Sequence, residues 1–599
     1  MKNRNTILKT ISASLALSIL IGCSTVDMKK LAKEQKLTSV PDPLELHGDS
    51  VKFEISAVIP PKMLKKNKLY TVRTFYKSFD NTLTVGAVVF NGNDFPLAAT
   101  EPPKLSKKFA FAYDDKIKKG DVFIEGEMSD INKIGKKTPQ IPLVKGIITT
   151  SRLVKDVFPV AYADHGYDNR EQLQPTVVQF YYPKRVSKLQ PEEKKGNRAK
   201  FFEGFIASKY VTRTVNIIGT HSPEGAEMVN EKLSEERAIA IEKYYREMMK
   251  KFNYGTKADS ISFVIKGKVK DWTDFKVKLD SNKTLTADQK AEITVLIDNP
   301  DGTFRQKELK LQGLKYYKVI EKQIYPTLRN ARTEVLTVKP KKSDAQIFLT
   351  AMKIANGNAE PKDSLTPAEL LYAATLTPTP EEKEKIYLAA TKKLDSYEAY
   401  NNLGALILEK AIKEKDATRK GQLADDAIAK LEIAKNRQET GTVYLNLASA
   451  KLIKADKAGT AEAVAKAKSL GGSPEVTKGS NAIQGVLDIK AGNYESAMTN
   501  LNSAGNDVIV GYDKALALLL KKDLTSAKSA FDESLTADAT NAYAFYCAAI
   551  TAAKLNDADN MNKFLKEAFK LDDTLKNRAL DDLEFVNYKE NDKFKDALK

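Results

Sequence analysis

Gly492-Asn493-Tyr494-Glu495-Ser496-Ala497 decides the fold of the C-terminal part of the chain, because it joins a turn to the start of a helix. Small residues recur twelve positions apart around this stretch, as Gly485 with Ala497 and again as Ala515 with Ala527. Small side chains at such an offset let two consecutive helices approach closely, and stacked pairs then bury a continuous core. The recurrence favours a stack of helix pairs over residues 343–599. A generic helical bundle is the alternative.

The same spacing resembles the tetratricopeptide repeat family. Tyr400-Asn401-Asn402-Leu403-Gly404 would begin an earlier unit, whose second helix would hold Ala427, Leu431 and Ala434. The resemblance covers about four to six units and implies an α-helical solenoid with a groove for a partner protein or peptide. Asn402 and Asn446 are candidates for that groove, since asparagine can hydrogen-bond a peptide backbone. Alternatively, both are solvated surface residues.

At the other end of the chain, Lys2, Arg4 and Lys9 precede an apolar run that ends at Leu20-Ile21-Gly22-Cys23. A basic head and a short apolar core are typical of an export signal. The four-residue ending resembles a bacterial lipobox, which implies a signal peptide over 1–22 and acylation of Cys23. An ordinary signal with an incidental cysteine is the alternative.

Residues 23–43 are short of apolar side chains and are predicted to form a flexible tether. No acidic cluster follows Cys23, which favours the periplasmic face over the cell surface. The predicted location is therefore the outer membrane, where a lipid anchors the chain and the protein faces the periplasm.

Composition narrows the possible partners. The chain has 599 residues and a formal net charge of +18, mostly from lysine. Export excludes nucleic acid as a partner, so the excess charge suits anionic wall polymer or lipid headgroups. A solvated lysine-rich surface explains the charge equally well. With Cys23 acylated, Cys547 has no disulfide partner, and its neighbours predict a small buried position between helices.

Motifs for catalysis and metal binding are absent from the sequence. The three histidines lie far apart, and no zinc-protease, nucleophile-elbow or phosphate-loop motif occurs. We therefore predict that the protein is not an enzyme and needs no cofactor and no metal ion.

Residues 44–165 alternate apolar and polar side chains in short runs, for example in 51–55, 83–90 and 121–127. Glycine, proline and asparagine separate the runs, which is typical of strands joined by turns. We predict a β-sandwich here. Its role is either a folded spacer or a surface that docks another protein.

From residue 174 onward, strands and helices mix. Strand 214–219 runs into Thr220-His221-Ser222-Pro223-Glu224-Gly225, and a helix with Asn230, Leu233-Ser234 and Arg237-Ala238 follows. Together with the closing Asn330-Ala331-Arg332-Thr333-Glu334, these residues resemble the OmpA C-terminal-like family over residues 174–338. The long insert 266–323 resembles a Bacteroidetes branch of that family. The resemblance implies an α/β domain that binds peptidoglycan.

In that family the ligand is the diaminopimelate zwitterion of the wall peptide. The resemblance implies that Arg237 clamps its carboxylate, and that the site residues are Gly219, Ser222, Asn230, Arg237 and Arg332. The family's aspartate falls on Ser222, which supplies no charge for the ligand's ammonium. Losing that contact would weaken binding by about 1.5–3 kcal/mol. Glu224 is a nearby substitute.

Three of these residues also have a purely structural explanation. Gly219 would permit the turn, Asn230 would bond local backbone, and Arg237 would be a surface residue of a helix. His221 is predicted to be exposed and inert.

The sequence therefore predicts two possible functions. One is an outer-membrane lipoprotein that tethers the membrane to peptidoglycan and recruits partner proteins through its repeats. The other is an adaptor subunit of a secretion, fimbrial or outer-membrane assembly machine, in which the OmpA-like fold no longer binds the wall.

Overall fold

The structure is a computed structural model that describes residues 33–79, 81–130, 135–268 and 272–599. The predicted signal peptide and Cys23 lie outside the described residues. The chain divides into two compact units. Unit 1 comprises the described residues up to Gly166 together with Ile347–Lys599, and unit 2 is Tyr167–Gln346.

Unit 1 begins with two β-sheets. The strands are β1 (Lys36–Val40), β2 (Leu44–His47), β3 (Ser50–Val58), β4 (Lys68–Ser78), β5 (Thr82–Asn91), β6 (Lys104–Ala112), β7 (Gly120–Asp130), β8 (Lys136–Lys137), β9 (Ile141–Lys145) and β10 (Ile147–Ile148). One sheet has the order β1-β3-β2-β10 with β6 also on β3, and the other has the order β5-β4-β7-β8 with β9 also on β7. Alternate side chains of both sheets enter one core, which includes Ile55, Phe109, Tyr70 and Val122. This is a β-sandwich.

The boundaries of the sandwich differ from those predicted. Residues 36–40, predicted to belong to the flexible tether 23–43, form β1 and pair with β3 in antiparallel register. At the other end the last strand stops at Ile148, so 149–165 does not belong to the sheets. Local alternation of apolar residues did not reveal either boundary, because both depend on which strand the segment pairs with.

The C-terminal part of unit 1 is helical, as predicted. Three helices come first: Asp344–Ala355, which belongs to unit 1 from Ile347 onward, Pro367–Ala373 and Pro380–Leu394. Five helix pairs follow, here called repeats 1 to 5: Tyr397–Lys413 with Ala417–Arg437, Gly441–Ile453 with Lys457–Leu470, Pro474–Ala491 with Tyr494–Asn502, Val508–Leu520 with Leu524–Ala537, and Ala542–Lys554 with Ala558–Leu571. Helices Thr574–Asp581 and Asp592–Ala597 end the chain.

Small residues bring the two helices of a pair together at the predicted places. A Cβ atom on Gly485 would lie 2.5 Å from Cγ of Leu501, and one on Gly404 would lie 2.7 Å from Cγ of Leu431. Both distances are too short for real Cβ contacts, so only glycine fits these two positions. Each pair packs on the next, and together they form a continuous helical solenoid.

The sandwich packs against the solenoid within unit 1. The Nδ1 atom of His47 lies 3.0 Å from the Tyr494 hydroxyl, and Glu45 pairs with Lys522 at 3.0 Å. Burial alone would raise the pKa of Glu45, but the hydrogen bonds and positive charges of His47 and Lys522 lower it to about 2. The Glu45 carboxylate is therefore a charged contact between the sandwich and the solenoid.

Unit 2 contains one four-stranded sheet. Its strands are β11 (Leu173–Tyr181), β12 (Thr212–Gly219), β13 (Ser262–Gly267) and β14 (Asn330–Val338), in the order β11-β14-β12-β13. Strands β12 and β13 are parallel, and β14 is antiparallel to both of its neighbours. The helices are Pro191–Lys195, Asn197–Ala207, Glu227–Lys251, Thr273–Ser281, Ala287–Asp298, Phe304–Gln312, Tyr317–Val319 and Tyr325–Leu328.

The long helix Glu227–Lys251 connects β12 to β13 and packs on the sheet through Ala238, Ile241 and Tyr245. The helix predicted to start at Pro191 and run through 201–205 is in fact two helices. They are separated at Gly196, whose ψ of 167° is extended. Residues 273–328 form a second small core around Phe275, Ile293 and Tyr325.

Candidate functional site

The first helices of repeats 1 to 5 form a continuous face, here called the groove. The segment Leu153–Ala163 crosses this face and is here called the strap; it starts at the last residue of a short 3-10 helix, Thr150–Leu153, and has no regular secondary structure after it. It contacts Asn402 in repeat 1, Asn446 in repeat 2, Lys490 in repeat 3 and Tyr512 in repeat 4. In repeat 5 the Nζ atom of Lys155 lies 3.8 Å from the centroid of the Tyr543 ring. The groove is therefore filled by the protein's own chain.

Asparagine side chains bind the main chain of the strap. The Asn446 amide accepts a hydrogen bond from the Ala161 N–H at 2.9 Å and donates one to the Ala161 carbonyl at 2.7 Å. The Asn402 amide accepts from the Ala163 N–H at 2.7 Å and donates to the Ala163 carbonyl at 3.1 Å. A side-chain amide carries both a donor and an acceptor, so it can pair with a residue's N–H and C=O at once.

A third asparagine links these two. Asn401 donates to Asn402 at 3.0 Å and accepts from Asn446 at 3.0 Å, and it also reaches the Ala161 carbonyl at 3.3 Å. All three side chains are buried. Of the two alternatives for Asn402 and Asn446, the groove position is confirmed and the solvated surface position is wrong.

The other end of the strap is bound through its main chain as well. The Tyr512 hydroxyl donates to the Leu153 carbonyl at 2.8 Å, and Ser449 donates to the Pro159 carbonyl at 2.7 Å. The Lys155 N–H donates to the Asp513 carboxylate at 3.0 Å. Burial raises the pKa of Asp513 well above its ordinary value. The strap backbone thus supplies a donor to a carboxyl group that has little access to water.

Apolar contacts complete the fit of the strap. Val157 and Ala161 are buried in one cluster with Leu445 of repeat 2, and Leu153 is buried in another with Tyr512 of repeat 4. A Cβ atom added to Gly479 of repeat 3 would lie 2.8 Å from Cβ of Pro159. The strap and the groove therefore meet at the packing distance of a protein interior.

In unit 2, Arg237 lies on the long helix and is only 1% exposed. Its guanidinium donates to three main-chain carbonyls: Thr220 at 2.7 Å, Val186 at 3.0 Å and Pro183 at 3.3 Å. Its Cζ atom also lies 5.3 Å from the centroid of the Tyr182 ring. Burial lowers the pKa of Arg237 to about 10, so the side chain remains a cation at neutral pH. The alternative of an exposed surface residue is wrong for Arg237.

Ser222 and Glu224 meet an arginine that the sequence analysis missed. The Nε of Arg329 donates to the Ser222 hydroxyl at 3.0 Å, and its Nη2 donates to Glu224 at 2.9 Å. All three residues are at least nine-tenths buried. Lys184 lies 3.9 Å from the same carboxylate. The pair of opposite charges required for a zwitterionic ligand is therefore present, but the two charges neutralise each other.

Of the remaining predicted site residues, Gly219 and Asn230 have structural roles. A Cβ atom on Gly219 would lie 1.8 Å from the Ser234 carbonyl, so glycine is needed where β12 passes the long helix. Asn230 donates to the carbonyls of Ser222 at 3.4 Å and Glu224 at 3.1 Å and so holds the loop. Arg332 is exposed and lies on the opposite face of β14 from buried Ala331.

The histidine prediction needs correction. His221 is half-buried rather than exposed, its Nδ1 lies 2.8 Å from the Ser222 carbonyl oxygen, and its ring packs against Phe304. Burial lowers its pKa.

Cys547 is fully buried as predicted, and burial raises its pKa to about 12.

In the part of the chain that the structure describes, no helix has the length and apolarity to cross a membrane. Within those same residues, no group of three or more His, Cys, Asp and Glu side chains is placed to hold a metal ion.

Comparison with known proteins gives weak structural matches only. No family model and no curated protein matches the chain. YrrB, a TPR protein with an unusual peptide-binding site, is 18% identical with a TM-score of 0.27, and the match covers 34% of this chain and 97% of YrrB. PilW, a type IV pilus biogenesis factor, is 15% identical with a TM-score of 0.24, and the match covers 33% of this chain and 99% of PilW.

The APC/C hetero-tetramer Cut9–Hcn1 gives a longer match, at 12% identity and a TM-score of 0.30, over 63% of this chain and 77% of that one. All three scores are low. The assignment of the helical repeats to this chain therefore rests on its own five helix pairs.

Proposed function

We propose that this protein is a non-enzymatic scaffold, held by a lipid on Cys23 at the periplasmic face of the outer membrane. The lipobox-like ending Leu20-Ile21-Gly22-Cys23 supports the anchor. The helical repeats support the scaffold role, because their groove binds an extended peptide backbone through Asn402 and Asn446. In this proposal the protein holds other proteins at the membrane and makes or breaks no covalent bond.

The lipid anchor predicts how the protein partitions. The native protein should enter the detergent-rich phase in a detergent phase separation, and the Cys23→Ser variant should remain in the aqueous phase. The variant lacks the thiol that is acylated, and one acyl chain supplies about 0.8 kcal/mol for each buried CH₂. Wild-type protein that stays aqueous and carries no fatty acid would contradict the anchor.

We propose that unit 2 is an OmpA-like domain. Support comes from its strand order, β11-β14-β12-β13, in which parallel β12 and β13 are connected by the long helix. The residues that carry the family resemblance lie at the end of β12, along that helix and at the start of β14.

Within this domain the geometry favours the adaptor over the peptidoglycan anchor. The observation that carries this choice is the buried pair of Arg329 and Glu224, at 2.9 Å. A diaminopimelate ligand needs a free guanidinium and a free carboxylate, and opening a buried pair without replacing both partners costs about 3–5 kcal/mol. The donors of Arg237 are likewise bound to main-chain carbonyls. We therefore propose that the OmpA-like domain is a structural module of an adaptor subunit.

One observation favours the peptidoglycan anchor instead. Among the described residues, the second carboxylate oxygen of Glu224 is buried and has no hydrogen-bond partner. A ligand ammonium could supply that partner, because buried carboxylate oxygens are rarely left unpaired. In this second proposal Glu224 takes the place of the family's aspartate.

Sedimentation with isolated peptidoglycan distinguishes the two proposals. The adaptor predicts that wild-type protein, Glu224→Gln and the exposed control Glu231→Gln all stay in the supernatant with a non-binding reference protein. Glutamine keeps the size of the side chain and an acceptor for Arg329 while it removes the charge. Sedimentation of wild-type protein and of Glu231→Gln, but not of Glu224→Gln, would contradict the adaptor and support the anchor.

A further inference from the structure

The strap occupies the groove from one end of the solenoid to the other. Its N-terminal part lies on repeats 4 and 5, through Leu153 and Lys155, and its C-terminal part lies on repeat 1, through Ala163. Every one of the five first helices contributes a contact. Among the described residues, no stretch of the groove as long as a repeat is left uncovered by the strap.

The contacts also define the class of peptide that the groove accepts. Hydrogen bonds from the repeats reach main-chain atoms at four strap positions besides the Lys155 N–H: Leu153, Pro159, Ala161 and Ala163. Main-chain recognition requires an extended chain and does not depend on side-chain identity. The buried side chains of Val157, Ala161 and Ala163 add a requirement for small or branched apolar residues at these positions.

One side-chain contact adds charge complementarity. Asp156 of the strap pairs with Lys490 of repeat 3 at 2.5 Å, and both side chains are about one-third exposed. A peptide with an acidic residue ahead of its small apolar residues matches the groove in the same way.

We propose that the strap is the resident peptide ligand of the groove and closes it to peptides from other proteins. The strap is tethered to the groove within one chain, so its effective concentration is on the order of millimolar, and an external peptide must compete with it. A partner peptide of the scaffold then enters the groove only when it displaces the strap. This inference rests on the peptide-binding role of the repeats in the proposed function, and it needs neither the lipid nor the wall.

The test is a titration of full-length protein with a fluorescent peptide of residues 153–164, followed by fluorescence anisotropy. We expect wild-type protein to bind this peptide at least about a hundredfold more weakly than the Val157→Asp/Ala161→Asp variant does. The substitutions place two carboxylates of the strap in apolar positions and leave every groove residue unchanged. The emptied groove then accepts the added peptide.

A milder variant covers the case in which the double variant does not fold. Asp156→Lys places a second positive charge beside Lys490 at a position open to water, so the strap is held less tightly. We therefore expect this variant to bind the added peptide about tenfold more tightly than wild type does. The matched control is Asp164→Lys, since the Asp164 side chain is 90% exposed and the change in charge is the same. The control should bind the peptide as weakly as wild type.

Two results would overturn the proposal. Equal affinity of wild type and the strap variants would mean that the groove is open, and no binding by a folded strap variant would mean that the groove does not recognise this peptide. Neither result affects the Cys23 partition or the peptidoglycan sedimentation. Failure of the inference is therefore distinguishable from failure of the proposed function.

Discussion

The Asn446→Ala substitution should lower the free energy of unfolding of unit 1 by about 3 kcal/mol relative to wild type. The substitution removes one acceptor and two donors, and it leaves the N–H of Ala161 without a partner in a buried site. An unpaired buried polar group costs about 1–3 kcal/mol, and the Ala161 carbonyl and Asn401 also lose a bond. This loss of stability is large for a substitution that removes only a side-chain amide group.

Chemical denaturation measures this loss with two probes. Helical circular dichroism reports mainly on the solenoid, whereas the fluorescence of Trp272, the only tryptophan, reports on unit 2. We expect the unfolding transition seen by circular dichroism to move to a lower denaturant concentration, and the transition seen by Trp272 fluorescence to stay where it is in wild type. The exposed Asn358→Ala is the matched control and should change stability by less than about 0.5 kcal/mol. A shift in Asn446→Ala no larger than in this control would contradict the groove assignment.

Arg237→Met should destabilise unit 2 by about 3 kcal/mol. The guanidinium is the donor for three main-chain carbonyls, the buried one of Thr220 and the partly buried ones of Val186 and Pro183, and methionine fills similar space without a donor. Arg237→Lys should cost less, because an ammonium group keeps the charge and can still reach some of these oxygens. This prediction separates a structural arginine from one kept free to bind a ligand.

The measurement is unfolding followed by Trp272 fluorescence. Arg246→Met is the control on the same helix, since the Arg246 side chain is 52% exposed and pairs with Glu242 one turn away. Pairs of this kind contribute about 0.3–0.5 kcal/mol. The Arg246 Cζ atom also lies 4.2 Å from the centroid of the Phe263 ring, a contact that contributes about 0.5–1 kcal/mol at an exposed site. If Arg237→Met and Arg246→Met unfold at the same denaturant concentration, Arg237 is not the donor that holds the loop.

Much of the fold could be predicted from local pattern. The offset of small residues located the helix pairs because Gly404 of repeat 1 and Gly485 of repeat 3 each face a leucine of the next helix. The alternation of apolar residues located the strands of the sandwich and of unit 2, because that alternation is also a local pattern. Such signals arise from residues that are close in sequence.

The strap could not be predicted in this way. Ala161 is bound by Asn446, which is 285 residues away, and Ala163 is bound by Asn402, which is 239 residues away. The sequence marked both asparagines as peptide-binding candidates, but an extended segment bound through its main chain leaves almost no pattern in its side chains. The peptide that fills the groove was therefore assigned to the β-sandwich.

The charge balance of the candidate ligand site could not be predicted for a similar reason. Ser222, Asn230 and Arg237 were found by their spacing, and in the structure the Asn230 amide on the long helix donates to the Ser222 carbonyl in the loop after β12. Arg329 was missed, because its partner Glu224 lies 105 residues earlier in the chain. The charge balance of the site depends on this distant pair, so the sequence could locate the site without revealing that its charges are already neutralised.

Hydrogen exchange of the strap amides in full-length wild-type protein tests the central claim most directly. The claim is that residues 153–163 lie in the solenoid groove, and the amides of Lys155, Ala161 and Ala163 each donate to a groove side chain. We predict that these amides exchange as slowly as those of the helices that hold them, because they open only when the solenoid does. Exchange at the rate of an unstructured peptide would contradict the account.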